Sequence, residues 1–306
     1  MLAFDLNPRK LLPAFAIVLA LSSCKGKEEK DNGQEIPVQT GFSVLLTPDV
    51  PDSLADNPDK AIHYALTHFW DKLDFRDTAR SRNQEFMEQN FANFLSLFPY
   101  ASPETRRDAT VRLMKKAESD TAAYTITARM ADLYLYEPNS PYYSEDNYIL
   151  FLEETTSNEI TGSDVLRYRY QLEMAMKNRP GSKATDFNFI TREGKKTSLH
   201  TIPTHGEILL IFYDPSCDHC HEVIEMLKAD ESLQRAIDRK MTTVLAIYSG
   251  EERSLWEKTN GELPKEWIVG YEPGKIEEED LYEFRASPTL YLLDADRKVI
   301  KKDFTM

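Results

Sequence analysis

Two cysteines stand three positions apart in the run Phe212-Tyr213-Asp214-Pro215-Ser216-Cys217-Asp218-His219-Cys220-His221. Residues at that spacing share one face of a helix, close enough for a disulfide. So small a loop constrains the unfolded chain little, which makes the value of the pair chemical rather than structural. The thiolate is the nucleophile in thiol–disulfide exchange. A sulfur at a helix N-terminus faces unpaired N–H groups and the positive end of the dipole, and both favour that thiolate. Cys217, at the tip, is the candidate nucleophile, and Cys220, deeper in the helix, the resolving thiol. His219, when protonated, adds to the stabilisation, while Asp218 opposes it, so these two are the tuning candidates. A lowered Cys217 pKa also favours the reduced form and makes the pair more oxidising.

The same string admits other chemistry. Cys217-x-x-Cys220-His221 matches the haem-attachment motif of c-type cytochromes, with His221 as the iron ligand. Cys217, Cys220, His219 and His221 suit a metal by type, but neighbours on one helical turn splay apart, and no metal site is expected. A third reading is a non-enzymatic interaction lipoprotein whose helical region binds a partner and whose cysteines form a structural disulfide. His63, His68, His200 and His205 are isolated and read as surface or hydrogen-bonded histidines, and Tyr213 as core.

The elements around the motif favour the redox reading over the cytochrome one. Ile208-Leu209-Leu210-Ile211-Phe212-Tyr213 is a continuous apolar run, the mark of a strand buried on both faces. A helix opens near Cys217, with Val223, Ile224 and Leu227 on its inward face. Phe187 and Phe189 alternate with polar residues before a Glu193-Gly194 turn. Thr243 to Tyr248 is a second buried strand, Leu255 to Lys258 a helix, Trp267 to Val269 a short strand and Ile276 to Phe284 a helical segment. Thr289 to Leu293 and Lys298 to Lys301 make a last hairpin around Asp294-Ala295-Asp296. This order predicts a central mixed sheet flanked by helices, an α/β domain over 179–306. Upstream the period is helical. Ile62, Leu66, Phe69 and Leu73 form one stripe, and Met87, Phe91, Phe94 and Phe98 another. Ile126, Met130 and Leu133 form a third, and Val165, Tyr168, Leu172 and Met176 a fourth. Ser102-Pro103-Glu104 is a helix start. Residues 45–178 therefore read as an all-α domain.

The chain has 306 residues, 41% of them hydrophobic, and a formal net charge of -14. Two domains are the default at that length. The acidic excess argues against nucleic acid, whose phosphates it would repel. Arg9 and Lys10 precede an apolar run, Leu11 to Leu21, too short for a mature transmembrane helix and placed as a signal peptide over 1–23. Residues 24–44 are polar and charged and read as a flexible tether. With Cys24 set apart from the pair, all three cysteines have a place, and an exported chain lies where disulfides persist.

Two segments carry family resemblance. Leu21-Ser22-Ser23-Cys24 resembles the lipobox of bacterial lipoproteins, which implies cleavage before Cys24 and its lipidation. Residues ~180–306 resemble the TlpA-like thioredoxin family of exported thiol–disulfide oxidoreductases. The resemblance rests on Ala184-Thr185-Asp186-Phe187 with Gly194, the Phe-x-x-x-x-Cys-x-x-Cys run from Phe212, and Ser287-Pro288-Thr289. It implies a thioredoxin-like fold, a cis Pro288 beside the disulfide and a Ser287 backbone that pairs with an incoming substrate strand. Ser216 stands where the family has an aromatic. His219 stands where it often has Pro, a feature that resembles strongly oxidising periplasmic thiol oxidases. The family's additional last helix has no counterpart before Met306. The helical domain resembles the uncharacterised N-terminal domain fused to such thioredoxins in lipoproteins of Bacteroidetes-type bacteria. Together these imply a cell-envelope lipoprotein, on the outer membrane facing the periplasm, that acts on envelope proteins bearing thiols or disulfides. No dissociable cofactor is needed beyond the redox-active Cys217–Cys220 pair. A membrane redox partner must recycle it, since the chain shows no redox-coenzyme motif.

Overall fold

A computed structural model describes residues 45–304 apart from 158, 159 and 161. The expected signal peptide, tether and lipidated Cys24 lie outside these residues. The helical part comprises α1 (Pro58–Thr67), α2 (Thr78–Ser81), α3 (Gln84–Ser96), α4 (Pro103–Ala117), α5 (Thr121–Ala131), α6 (Glu145–Thr156) and α7 (Asp164–Met176). Their starts are written locally. Asn57 accepts a hydrogen bond from the Lys60 N–H ahead of Pro58, and Ser102 accepts one from Thr105 N–H ahead of Pro103. Such caps satisfy N–H groups that the helix itself leaves unpaired. The core between the helices is aromatic, with Phe69, Trp70, Phe91, Phe94, Phe98, Tyr124 and Phe151 almost fully buried.

Two of the expected stripes end differently. Leu133 is 52% exposed, and Leu135, at 1%, takes its place in the core. The reason is a π-helical turn over Asp132–Tyr136, which widens the period and rotates the face. Met176 is 50% exposed while Met174 and Ala175 are buried. The last turn of α7 faces the α/β part instead, where Lys302 Nζ donates to the carbonyls of Met174, Ala175 and Lys177 at 3.2, 3.2 and 2.8 Å. A cation there serves the negative end of the helix.

The α/β part contains β1 (Asn188–Thr191), β2 (Lys196–Ser198), β3 (Glu207–Phe212), α8 (Asp218–Ala229), α9 (Glu231–Asp238), β4 (Thr242–Ser249), α10 (Arg253–Thr259), β5 (Ile268–Glu272), α11 (Lys275–Glu278), β6 (Thr289–Leu293) and β7 (Val299–Lys302). The strands form one sheet in the order β2-β1-β5-β4-β3-β6-β7. β3, β4 and β5 are parallel neighbours, and the remaining pairs are antiparallel. This is the mixed sheet expected from the alternation of strand and helix. Alternate residues of β3 serve opposite layers, as the pleat demands. Leu209 and Ile211 join Val223, Ile224 and Leu227 of α8, whereas Ile208, Leu210 and Phe212 join Phe187, Tyr282 and Tyr291. Gly206, just before β3, has φ +66°, and a Cβ there would lie 1.9 Å from the Met241 carbonyl oxygen, so only glycine fits.

Helix α9 has a local signal that hydrophobic spacing does not reveal: Asp230 accepts from the N–H groups of Ser232 and Leu233. The expected helix over Ile276–Phe284 is a correction. Only Lys275–Glu278 is helical. Beyond it Asp280 has φ +52°. The chain from there is held by outside partners: Asn178 Nδ2 donates to Leu281 O at 2.9 Å, and the Tyr282 hydroxyl to Thr185 O at 2.6 Å. These tertiary contacts override the helical propensity of the acidic run.

Candidate active site

β3 delivers the chain to the motif, and α8 opens directly after it. Asp214 shapes the turn between them: its Oδ1 accepts from both the N–H and the hydroxyl of Ser216, each at 2.7 Å. That Asx turn is written in Asp214-Pro215-Ser216 and could have been read there. Cys217 is the N-cap residue of α8, with its sulfur accepting the Cys220 N–H at 3.3 Å. A cap position places Sγ where the helix offers unpaired donors. Cys217 is half-buried, Cys220 is buried to 1%, and both are free thiols.

The loop before β6 stands against this sulfur. The Ser287–Pro288 peptide bond is cis. The Cys217 thiol points at the Ser287 carbonyl oxygen at 3.8 Å, across 70 positions of sequence. Ser287 is exposed while Pro288 is buried. The loop is closed from behind by the Thr289 hydroxyl, which donates to Ala286 O at 2.7 Å. Thus the structure brings together Cys217, Cys220, Ser287 and Pro288.

Asp218 and His219 lie on the exposed side of the first turn of α8. His219 Nδ1 is 3.3 Å from Glu222 Oε2, so any charge on the ring is shared with a carboxylate one turn on. His221 Nε2 is 2.9 Å from the Pro215 carbonyl oxygen, which commits that nitrogen to the fold. Tyr213 is a core residue. Of the other histidines, His63 meets Thr105 Oγ1 at 3.1 Å and His200 meets Ala184 O at 2.8 Å. A groove of about 560 Å³ opens beside β1, β2 and the end of β5, near Lys196, Glu272 and Lys275, and neither cysteine lines it.

Burial pushes the Cys220 thiol up to about 12, outweighing the Asp214 N–H that donates to its sulfur at 3.5 Å. Two outcomes follow. Alkylation of the native reduced protein at pH 7–9 is expected to label Cys217 and spare Cys220 until denaturant is added; mass mapping of the adducts checks this. The folded state also keeps a proton that the unfolded chain loses from about pH 9 upward. Stability should therefore fall as pH rises between about 9 and about 12. Denaturant melts across that range should show a steeper decline than those of Cys220→Ala.

Residues 23–178 match the family model described as a domain of unknown function (DUF5106). The crystal structure of a thioredoxin-like protein from Bacteroides caccae is 32% identical. The match covers 87% of this chain and 96% of that one, with a TM-score of 0.79. The C-terminal domain of an uncharacterized protein from Bacteroides fragilis is 39% identical over 42% of this chain and 92% of its own, with a TM-score of 0.40. The thioredoxin domain of a thiol–disulfide oxidoreductase from Bacteroides vulgatus is 19% identical over 42% of this chain and 90% of its own, with a TM-score of 0.37. No curated protein matches the chain. The expected fold, a thioredoxin-like α/β part behind an all-α part, is the one found.

Proposed function

This chain belongs to the thioredoxin-like family, with a domain of unknown function (DUF5106) over residues 23–178, and on that premise we propose that it is a thiol–disulfide oxidoreductase of the bacterial cell envelope, exported and held by a lipid on Cys24. One observation carries the reading. Cys217 caps α8 at the end of a buried strand, faces the carbonyl of Ser287 before a cis proline, and has a second, buried thiol one turn behind it. A structural disulfide has no use for a half-open sulfur beside an exposed loop.

The reaction runs in two exchanges. Cys217, as thiolate, attacks one sulfur of a substrate disulfide. The substrate S–S bond breaks, a Cys217–substrate disulfide forms, and the first substrate sulfur leaves and takes a proton from solvent. Cys220 then loses its proton and attacks Cys217 Sγ. The mixed disulfide breaks, the second substrate sulfur leaves as a thiol after protonation, and the Cys217–Cys220 disulfide remains. The substrate gains two electrons and two protons, and the enzyme loses them. Run in reverse, the same steps oxidise a substrate dithiol. The Ser287 and Pro288 backbone receives the substrate strand alongside Cys217, and Asp218 and His219 set the balance between thiol and disulfide. Electrons pass through the cysteine pair itself, so no dissociable cofactor takes part. A membrane dithiol or disulfide partner restores the starting state. Envelope proteins bearing disulfides or thiols are the substrates.

The test is equilibration of the protein in glutathione buffers together with insulin reduction in the presence of dithiothreitol. One reversible Cys217–Cys220 disulfide and accelerated insulin reduction are expected. A potential near about −270 mV makes the enzyme a reductase, and one near about −120 mV an oxidase. A pair that neither equilibrates nor turns over removes the catalytic reading.

A further inference from the structure

Segment 280–288 runs from α11 to the cis proline, and the helical part grips it along its length. The Tyr170 hydroxyl donates to Asp280 Oδ1 at 2.7 Å, and Lys177 Nζ to Asp280 O at 2.9 Å. Arg285, two residues before Ser287, is the centre of the grip, with a side chain only 6% exposed. Its Nη2 meets Glu145 Oε1 at 2.9 Å and Asp303 Oδ2 at 3.0 Å. Its Nε lies 3.4 Å from Glu283 Oε2, near enough for attraction between the charges but not aligned as a hydrogen bond. The guanidinium lies over two rings, 5.0 Å from that of Tyr136 and 5.2 Å from that of Tyr143. The hydroxyls of those rings complete the cluster: Tyr136 donates to Glu283, and Tyr143 to Asp303. Glu145 opens α6, where the positive end of the helix favours a carboxylate, and Lys302 Nζ meets it at 2.9 Å.

One nitrogen, Nη2, bridges two carboxylates while Nε and Nη1 have no hydrogen-bond partner among the described residues, and with the two rings packed against the guanidinium the cluster fixes the position of Arg285. No such device is needed merely to attach a helical domain. Its placement is informative: Arg285 sits at the root of the loop whose Ser287 carbonyl touches the Cys217 thiol. We propose that Arg285 is a positioning residue, through which Glu145, Tyr136 and Tyr143 of the helical part hold the Ser287–Pro288 loop in the geometry that accepts a substrate strand. This rests on the oxidoreductase reading above and assigns the helical part a task in it, namely control of substrate acceptance.

The test compares Arg285→Lys and Glu145→Gln with the unsubstituted protein, each first shown folded by circular dichroism. Arg285→Lys keeps the charge but loses the fork and the ring contacts. Glu145→Gln removes a charge on the helical side and stays isosteric. Insulin reduction should show KM raised roughly tenfold with kcat within about twofold, because the loop is displaced while the sulfurs are not. Iodoacetamide labelling of Cys217 should stay within about twofold. Hydrogen exchange of peptides covering 281–290 should quicken, while that of β3 and α8 should not. Unchanged KM in both folded variants overturns the proposal, whether or not exchange quickens. So does a parallel loss of kcat, Cys217 labelling and thermal stability, the pattern of a purely structural cluster. Absence of turnover in the unsubstituted protein sinks the oxidoreductase reading instead. Exchange over 281–290 then decides on its own whether the clamp holds the loop.

Discussion

Cys217→Ser is expected to abolish thiol–disulfide exchange, with insulin reduction falling by at least about 10³-fold. A serine hydroxyl forms no disulfide, and its oxyanion is inaccessible at neutral pH. The remaining thiol cannot take over. Cys220 is 1% exposed, and burial pushes it up to about 12. At pH 7 it is therefore held as the thiol. Cys220→Ser should behave in a different way. The first attack survives, because Cys217 keeps its place at the tip of α8 and its contact with the Ser287 carbonyl. The second exchange is lost, so the protein should accumulate as a covalent adduct with its substrate, visible by mass under non-reducing conditions. A structural disulfide predicts the reverse. Both variants would then lose stability alike, neither would trap substrate, and activity would be absent throughout. The asymmetry between the two serines is the decisive measurement.

What could be read from the sequence was local. The strand Ile208–Tyr213, the Asx turn at Asp214 and the helix carrying Cys217 and Cys220 lie within a short run, so apolar continuity, turn chemistry and helical spacing all speak to them. The helix start at Pro103 was likewise legible in cap and proline. Ser287 and Pro288 could be placed only by resemblance, since nothing in residues 217 and 287 alone says that they meet. Two kinds of information were missing. One is local geometry that breaks a period: the π turn at Asp132–Tyr136 moves Leu133 out and Leu135 in. The other is pairing between distant charges. Arg285 and Glu145 are 140 positions apart, and each alone reads as an ordinary surface residue. Only the fold makes them partners and buries them, and other distant contacts, from Asn178 and Thr185, hold the chain where the acidic run 276–284 suggested a helix.

The residue that joins the two parts was equally silent, and its replacement should have the largest effect on stability. Asn178 stands two residues past the end of α7, is 5% exposed and has φ +51°. Its side chain makes three bonds that span the junction. Nδ2 donates to Leu281 O at 2.9 Å, while Oδ1 accepts from the N–H and the hydroxyl of Thr185 at 2.8 and 2.9 Å. Asparagine is among the few side chains that accept this left-handed backbone readily. Asn178→Ala adds a conformational cost of about 1 kcal/mol and leaves two main-chain groups without partners, each at the lower end of 1–3 kcal/mol because they are only partly buried. The sum is about 3 kcal/mol, or a melting temperature lower by roughly 6–12 °C for a chain of this size. Asn178→Gly separates the two contributions, since glycine accepts the positive φ but restores none of the bonds. It should recover about a third of the loss in a thermal melt. Recovery of nearly all of it would mean that the backbone alone matters and that Asn178 does not tie Leu281 to Thr185. Because Leu281 leads into the segment that ends at Pro288, a genuine tie predicts something further. The alanine variant should loosen the loop beside Cys217 before the sheet itself unfolds, with faster hydrogen exchange over 281–290 below the melting transition.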